Sequence, residues 1–357
     1  MRYLAAVFAL AAVLAASWDG ACTSTFSVAA VDTATGEAGV AVASKVLSVG
    51  YIVPWADPGA GAVATQALAN AGFGPLGLEL LEDGLDAGEV MESLRAADPD
   101  IAQRQLGIVD MEGGSATFTG EQTLEWSGGV AGPGYAIQGN ILTGPGVVEE
   151  MEAAFLQTEG PLSERMLQAL LAGDRAGGDS RGRQSAAILV VRPEGGYQGS
   201  SDRLVDIRVA DHPNPVVELE RIYRLWEPTF VMPVYLQAGE EPELGRALAM
   251  LSGYMEAEED STRKAAILNS FAWTIVSGDL EGYDSMALEL AEQAHALAPE
   301  NANIMDTLAT CHFAVGNVEE AVEWEQRALE LDPGNAFFTE QLDRFRRSGM
   351  EEEDLYD

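Results

Sequence analysis

The first half of the chain is built of short apolar runs separated by Gly, Asp and Pro. Seven of these runs predict strands: Thr25–Val31, Gly39–Ser44, Gln105–Asp110, Ser115–Thr119, Tyr135–Gln138, Ser185–Arg192 and Leu204–Val209. Each is short, apolar and bounded by turn formers. Between them the apolar spacing changes to three and four. That predicts helices over Gly77–Asp83, Ala87–Ala97, Gly146–Gln157, Leu162–Ala172 and Val216–Leu225. Strands and helices come in blocks, not in the strict alternation that a parallel sheet requires. The pattern therefore predicts antiparallel sheets with helices packed outside, an α+β layered domain.

Past Trp226-Glu227-Pro228 the pattern changes. Phe230–Ala238 is apolar and irregular, 239–242 is a break, and the rest reads as helix. Pro299 and Pro333 stand 34 residues apart, which is the tetratricopeptide period. Between them Met305, Leu308, Ala309, Gly316, Ala321, Trp324 and Ala328 fall where that repeat needs large, small and turn residues. The preceding unit offers Phe271, Ala272, Gly278, Ala287 and Ala294 in the same roles. The expected organisation is a layered domain over 22–227, a linker and docking helix over 228–262, helical repeats over 263–345 and a disordered acidic tail over 346–357. Such repeats bind partner proteins through concave surfaces, so a protein partner is expected there.

The start of the chain has a different character. Arg2 precedes an apolar run from Tyr3 to Ala16 that ends in small residues. This reads as a signal peptide over 1–21, too short to span a bilayer comfortably. The expected location is secreted or periplasmic. A lipid anchor at Cys22 is disfavoured, because Asp19 spoils the motif that would precede it. No later segment predicts a membrane span.

Charge narrows the choice of partners. The formal net charge is −37, with 57 acidic against 20 basic residues. Such a surface repels nucleic acid and anionic membranes; its plain role is to keep the protein soluble. Cys22 and Cys311 are too far apart in sequence to form a disulfide framework. No Cys/His cluster has zinc-site spacing, and neither a phosphate loop nor a dinucleotide fingerprint is present. No metal or cofactor is expected.

The chain has 3 histidines. His295 and His312 lie in the repeats, and His212 sits in a Pro-flanked turn that suits structure better than catalysis. A hydrolase here would need a base other than imidazole. An N-terminal Thr or Cys meets that need, because its own amine takes the proton from its nucleophile. Thr25, at the head of the first predicted strand, is the candidate. Lys45, one of the chain's two lysines, ends the second strand and is a candidate electrostatic helper. Asn140 closes Gln138-Gly139-Asn140, where an amide beside a Gly serves either as oxyanion donor or as strand-end turn. Gln66 and Asn70 are candidates for the same mouth. The polar loop entering the strand at Ser185 adds Asp179, Arg181, Gln184 and Ser185 as substrate-binding candidates, with an internal Asp179–Arg ion pair as the structural alternative.

Several of these segments, in order, resemble a bacterial family of unknown function placed in the N-terminal nucleophile (Ntn) hydrolase superfamily. They are Thr25-Phe26-Ser27, Gly39–Lys45, Val53–Ala56, Ala62–Ala67, Gly74–Leu78, Gln138–Asn140, the Gly178–Ala187 loop and Asp206–Pro213. The likeness runs from about Thr23 to Leu225. It implies a four-layer αββα sandwich and, at the superfamily level, hydrolysis of an amide bond in a small molecule or peptide by the first mature residue. The matching position is Thr25. Cys22-Thr23-Ser24 precede it here, so Thr25 needs a further processing step, Cys22 is the nucleophile instead, or the site is inactive. In the last case the domain is a non-catalytic scaffold for protein interaction.

Overall fold

The computed structural model describes residues 25–239, 243–278, 280 and 282–353. The expected signal peptide, Cys22 and the last four residues lie outside them. The chain divides into two compact units, one ending at Arg224 and the other starting at Leu225.

The first unit runs β1 (Thr25–Asp32), β2 (Glu37–Ser44), β3 (Pro54–Asp57), β4 (Gly61–Ala67), α1 (Phe73–Glu82), α2 (Ala87–Ala97), β5 (Arg104–Asp110), β6 (Ser115–Thr119), β7 (Gly128–Gly132), β8 (Tyr135–Asn140), α3 (Gly146–Gln157), α4 (Leu162–Arg175), β9 (Ser185–Val191), β10 (Arg203–Val209) and α5 (Pro215–Trp226). It is a mixed domain of two antiparallel sheets. One has the order β10-β9-β2-β1-β8-β7 and the other β3-β4-β5-β6. The sheets face each other, with β1 and β2 over β4 and β8 over β5. Helices α1 and α2 cover β4 and β5 from outside, while α3 and α4 cover β8, β1 and β2.

Three strands escaped the sequence pattern, each for a physical reason. β4 is made of small residues apart from Val63 and Gln66 and is buried on both faces, so its polar alternation is hard to read. β3 starts on Pro54 and β7 is Gly128-Gly129-Val130-Ala131-Gly132. Both are edge strands, the place where Pro and Gly are tolerated.

The apolar core between the sheets follows the period-2 alternation. Ala29 and Val31 of β1, Val40 and Val42 of β2, Ala136 of β8 and Leu189 and Val191 of β9 pack against Ala62, Ala64 and Val109 of the facing sheet. A second core, of Phe73, Leu81, Val90 and Leu94 with Leu106 and Ile108, seats α1 and α2 on their sheet. Asp86 starts α2 with a capping box to Glu89, which satisfies the first backbone donors of that helix.

The second unit is helical: α6 (Met232–Gln237), α7 (Glu243–Ala257), α8 (Ser261–Ser277), α9 (Asp284–Leu297), α10 (Ala302–Ala314), α11 (Val318–Leu331) and α12 (Ala336–Glu353). Two expectations are corrected here. Phe230–Ala238 is not irregular: a π-helical turn over Glu227–Val231 leads straight into α6. Pro228 and Pro233 each fall within the first two residues of one of these segments, so the missing proline N–H groups coincide with the change of helix type. The acidic stretch is helical as far as Glu353, in keeping with the helix propensity of Glu.

Consecutive helices α8 to α12 pack as neighbours. Ala309, Ala321 and Ala328 are fully buried where they cross, and Met305 and Phe338 pack with Ala328. Gly316, at φ 84°, ends α10. Its left-handed backbone lets Asn317 N–H donate to the His312 carbonyl at 2.9 Å, a turn that favours Gly.

Candidate functional site

The inner face of the six-stranded sheet changes character along its length. At one end it carries the Ala and Val residues of the core. At the other, the same alternation positions are polar in four adjacent strands. Thr25 stands opposite Ser44 of β2 and opposite Asn140 of β8, and Ser44 stands opposite Ser185 of β9. Asn140, Thr25, Ser44 and Ser185 therefore form one row across the sheet. All four are buried. Two residues further along β1, Ser27 stands opposite Gln138, and on the facing sheet Gln66 stands opposite Gln105.

These side chains are joined across the gap between the sheets. Thr25 Oγ1 donates to Ser44 Oγ at 3.3 Å. Ser27 Oγ donates to Gln66 Oε1 at 2.7 Å and accepts from Gln138 Nε2 at 2.7 Å. Gln66 Nε2 donates to Gln105 Oε1 at 2.8 Å and reaches the Thr25 carbonyl at 3.3 Å. Asn140 Nδ2 donates to Gln105 Oε1 at 3.0 Å. Gln105 Nε2 in turn meets the Gly139 carbonyl at 2.8 Å and Thr119 Oγ1 at 2.9 Å. A connected network of buried amides and hydroxyls holds its members rigidly, because each lost bond leaves a desolvated polar atom.

The backbone makes room for this layer. A Cβ on Gly107 would stand 2.1 Å from Gln138 Oε1, so the Gln138 amide lies directly on the Gly107 backbone. Ala67 and Ile141, the residues that follow Gln66 and Asn140, have φ values of 65° and 52°. A β-branched residue in that region is strained, and such strain gathers where surroundings impose an unusual geometry.

The other predicted residues lie around this row rather than in it. Asp179 accepts the Lys45 backbone N–H at 2.7 Å and pairs with Arg181 at 3.1 Å. It also bridges to Leu142, just beyond Asn140. Lys45 itself is exposed, with Nζ donating to the Arg183 carbonyl at 3.0 Å. Arg183 pairs with Asp174 at 2.6 Å, and that hydrogen bond raises its pKa above the ordinary guanidinium value. Ser185 Oγ donates to the Val46 carbonyl and accepts from Val49 N–H, fastening the loop after β2. The Gln184 backbone ties Ser44 to His212: its N–H donates to the Ser44 carbonyl and its carbonyl accepts from His212 N–H. His212 Nδ1 accepts from Asn214 N–H at 3.1 Å within its turn.

Asn70 is elsewhere. It donates to Asp98 at 3.3 Å and caps the entry to α1 by accepting from Gly72 N–H. Burial pushes the Asp98 carboxyl up, but hydrogen bonds from Arg104, the Asp100 amide and Asn70 outweigh it, and the net shift is downward.

Ser27, Ser44, Gln105 and Gln138 were not singled out as site residues in the sequence. Their signal is phase: each is polar at an inward strand position that, further along the same strand, is held by Ala, Val or Gly. Among the described residues, no group of three or more His, Cys, Asp or Glu is placed to hold a metal ion. No described helix is long and apolar enough to cross a membrane.

Residues 25–219 match a family of unknown function, DUF1028. This chain belongs to that family. The crystal structure of SPO2555 from Silicibacter pomeroyi, a DUF1028 protein, is 32% identical, with a TM-score of 0.52 over 57% of this chain and 89% of that one. Residues 286–337 match a tetratricopeptide repeat. The first TPR domain of human RPAP3 (20% identical, 34% of this chain, 96% of that one) and MamA from Desulfovibrio magneticus (18%, 39% and 78%) align with TM-scores of 0.27 each. No curated protein matches the chain. The polar row, the Gln layer and the Asp179 loop all fall within the DUF1028 domain. The second unit carries a repeat of the kind that serves as a protein-binding module.

Proposed function

We propose that the DUF1028 domain is an N-terminal nucleophile amidohydrolase of an exported protein, with Thr25 as nucleophile after the chain is cut before it. One observation carries this reading. The Thr25 hydroxyl sits in a polar row at one end of an otherwise apolar inter-sheet space, 3.3 Å from Ser44 Oγ and directly opposite Asn140. The order helix, sheet, sheet, helix agrees with the αββα sandwich of that superfamily. In this scheme the freed Thr25 amine takes the proton from Oγ1 as the oxygen adds to the substrate carbonyl. Asn140 meets the developing oxyanion. The protonated amine then gives its proton to the leaving nitrogen, and water releases the acyl group. Lys45 acts through its backbone, which holds the Asp179 loop beside the row, while its ammonium stays on the Arg183 carbonyl. The substrate is a small-molecule or peptide amide, and the repeats recruit a protein partner.

A second reading rests on a different observation. Thr25, Ser27, Gln66, Gln105, Gln138 and Asn140 are all fully buried, with side-chain hydrogen bonds that run mainly among themselves and to nearby backbone. A layer so closed also suits a scaffold that never meets substrate, with the repeats as its working surface.

Intact mass of the mature protein, before and after an electrophilic β-lactone, separates the two. The hydrolase reading expects a chain beginning at Thr25 that gains one probe mass, and no gain in Thr25→Ala. A mature chain beginning upstream, near Ser17, that stays unlabelled overturns it in favour of the scaffold.

A further inference from the structure

Away from the Thr25 row, a cavity of about 550 Å³ runs along the edge strand β3, beside the inner face of β9 and β10. Its lining includes the apolar Leu189 and Val191, the aromatic Tyr51 and Trp55, and the two guanidinium side chains of Arg203 and Arg208. Mostly apolar concavities of this size with a few fixed polar groups are the usual form of small-molecule sites.

The walls are built, not incidental. The Trp55 indole N–H donates to the Ile52 carbonyl at 3.0 Å. Its ring lies so close on helix α1 that a Cβ on Gly74 would fall 2.2 Å from it. Gly50 lets its turn lie directly on β9, since a Cβ there would fall 2.3 Å from the Ala187 Cβ, and the Arg208 stem packs beside it at 3.4 Å. Tyr51, beside it, is 80% exposed, although the turn that presents it is hydrogen-bonded through Tyr51 N–H to the Ser48 carbonyl. Its ring is thus available to a ligand in the cavity that it lines, where an aromatic face adds contact area.

The charges decide the ligand. Asp206 takes Arg208 in a two-bond fork at 2.7 and 3.1 Å. The same carboxylate stands 3.5 Å from Arg203. Two guanidiniums thus share one carboxylate and leave one positive charge, in a chain of net charge −37. Guanidinium donors fixed by a neighbouring acid are suited to planar oxyanions. We propose that this cavity binds a small organic monoanion with a flat apolar body, such as an aryl carboxylate. The ring would lie between Tyr51 and Trp55, and the carboxylate would meet Arg203 and Arg208. The site is separate from the Thr25 row and does not depend on the hydrolase reading.

The test uses full-length protein, isothermal titration calorimetry and an isosteric pair of probes, 1-naphthoate and the neutral 1-naphthamide. Naphthoate should bind with a dissociation constant below about 1 mM and at least about tenfold more tightly than the amide, the scale of one charge-assisted hydrogen bond. Arg203→Gln, an exposed change that leaves the fold alone, should remove that preference. Tyr51→Ser should weaken both probes, and Thr25→Ala should bind naphthoate like the wild type. Equal binding of acid and amide, no saturable binding of naphthoate, or an Arg203→Gln variant that keeps the preference would each overturn the proposal. So would a dimer that Tyr51→Ser dissociates and that takes up no naphthoate, which would assign the groove to a second copy of the chain.

Discussion

The Thr25 hydroxyl donates a hydrogen bond to Ser44 Oγ at 3.3 Å, and the two residues face each other across the central strand pair of the larger sheet. Ser44 orients the Thr25 oxygen without carrying charge. In the proposed reaction it is therefore a positioning residue, and Ser44→Ala should slow β-lactone labelling of Thr25 without abolishing it. Both residues are buried, and loss of one neutral hydrogen bond costs about 1 kcal/mol. Thr25→Ser should retain labelling and Thr25→Ala should lose it, with unfolding midpoints close to wild type. Undiminished labelling in Thr25→Ala would remove Thr25 from the chemistry.

Gln66, with Gln105 and Asn140, joins the two sheets through side-chain hydrogen bonds. It accepts from Ser27 of one sheet and donates to Gln105 of its own, while reaching the Thr25 and Gln138 carbonyls. Gln66→Leu would leave Ser27 and Gln105 desolvated with a partner missing. Unsatisfied buried groups cost roughly 1–3 kcal/mol each, so the variant should lose about 2–4 kcal/mol in urea unfolding of the first unit. A loss under about 1 kcal/mol would mean that the remaining amides re-pair without it.

Much of this arrangement was legible before the structure. The sequence puts Gln66 and Asn70 at the mouth beside Thr25 and Lys45, and it gives the Thr25 strand to within one residue. It ends the next relevant strand at Gln138, whereas β8 continues to Asn140, which pairs with Thr25. What failed to show was the depth of the site. Gln105 sits in an apolar run that reads simply as core strand, and its partner Gln66 is on a strand whose small residues hide its alternation. Asn70 lies only four residues after Gln66, but the chain leaves the sheet at Ala67 and turns Asn70 towards α1. Lys45 follows Ser44 directly, yet it lies past the strand end, where its ammonium meets the Arg183 carbonyl. Sequence proximity could not reveal either departure, because each depends on where a strand ends.

Gly107 tests the packing of the same layer without removing any of its hydrogen-bonding groups. A methyl there would collide with the Gln138 amide, which is fully buried and bonded to Ser27. Gly107→Ala should destabilise the first unit by about 1–3 kcal/mol, the usual range for overpacking. Because the clash is with one side chain, Gly107→Ala combined with Gln138→Ala should cost clearly less than the sum of the two single changes. Simple additivity in chemical denaturation would place the strain in the backbone instead.

The last prediction concerns the helical unit. Asp306 of α10 and Glu325 of α11 are buried side by side, with Arg344 of α12 as the nearby positive charge. No N–H group among the described residues donates to either Glu325 carboxyl oxygen, and its hydrogen-bonding neighbour is the Asp306 carboxyl. Burial, and then the neighbouring carboxyl, pushes Glu325 up to about 8. Burial pushes Asp306 up to about 6, against the pull of Arg344. The two therefore hold a proton between them at neutral pH. The sign follows from the linkage of protons to folding: the folded unit keeps protons that the unfolded chain has released above the ordinary carboxylate range, so stability falls as pH rises. The loss should begin above the usual carboxylate values and be complete once pH passes about 8. Thermal unfolding followed by far-ultraviolet circular dichroism should show the helical transition moving down over that window. Glu325→Gln keeps the shape and removes the group that titrates highest, so its transition should be higher than wild type on the alkaline side and should fall less steeply with pH. The general relief of the −37 charge on acidification acts on wild type and variant alike, and the difference between them isolates the pair. An equal slope in both proteins would show that Asp306 and Glu325 do not share a proton.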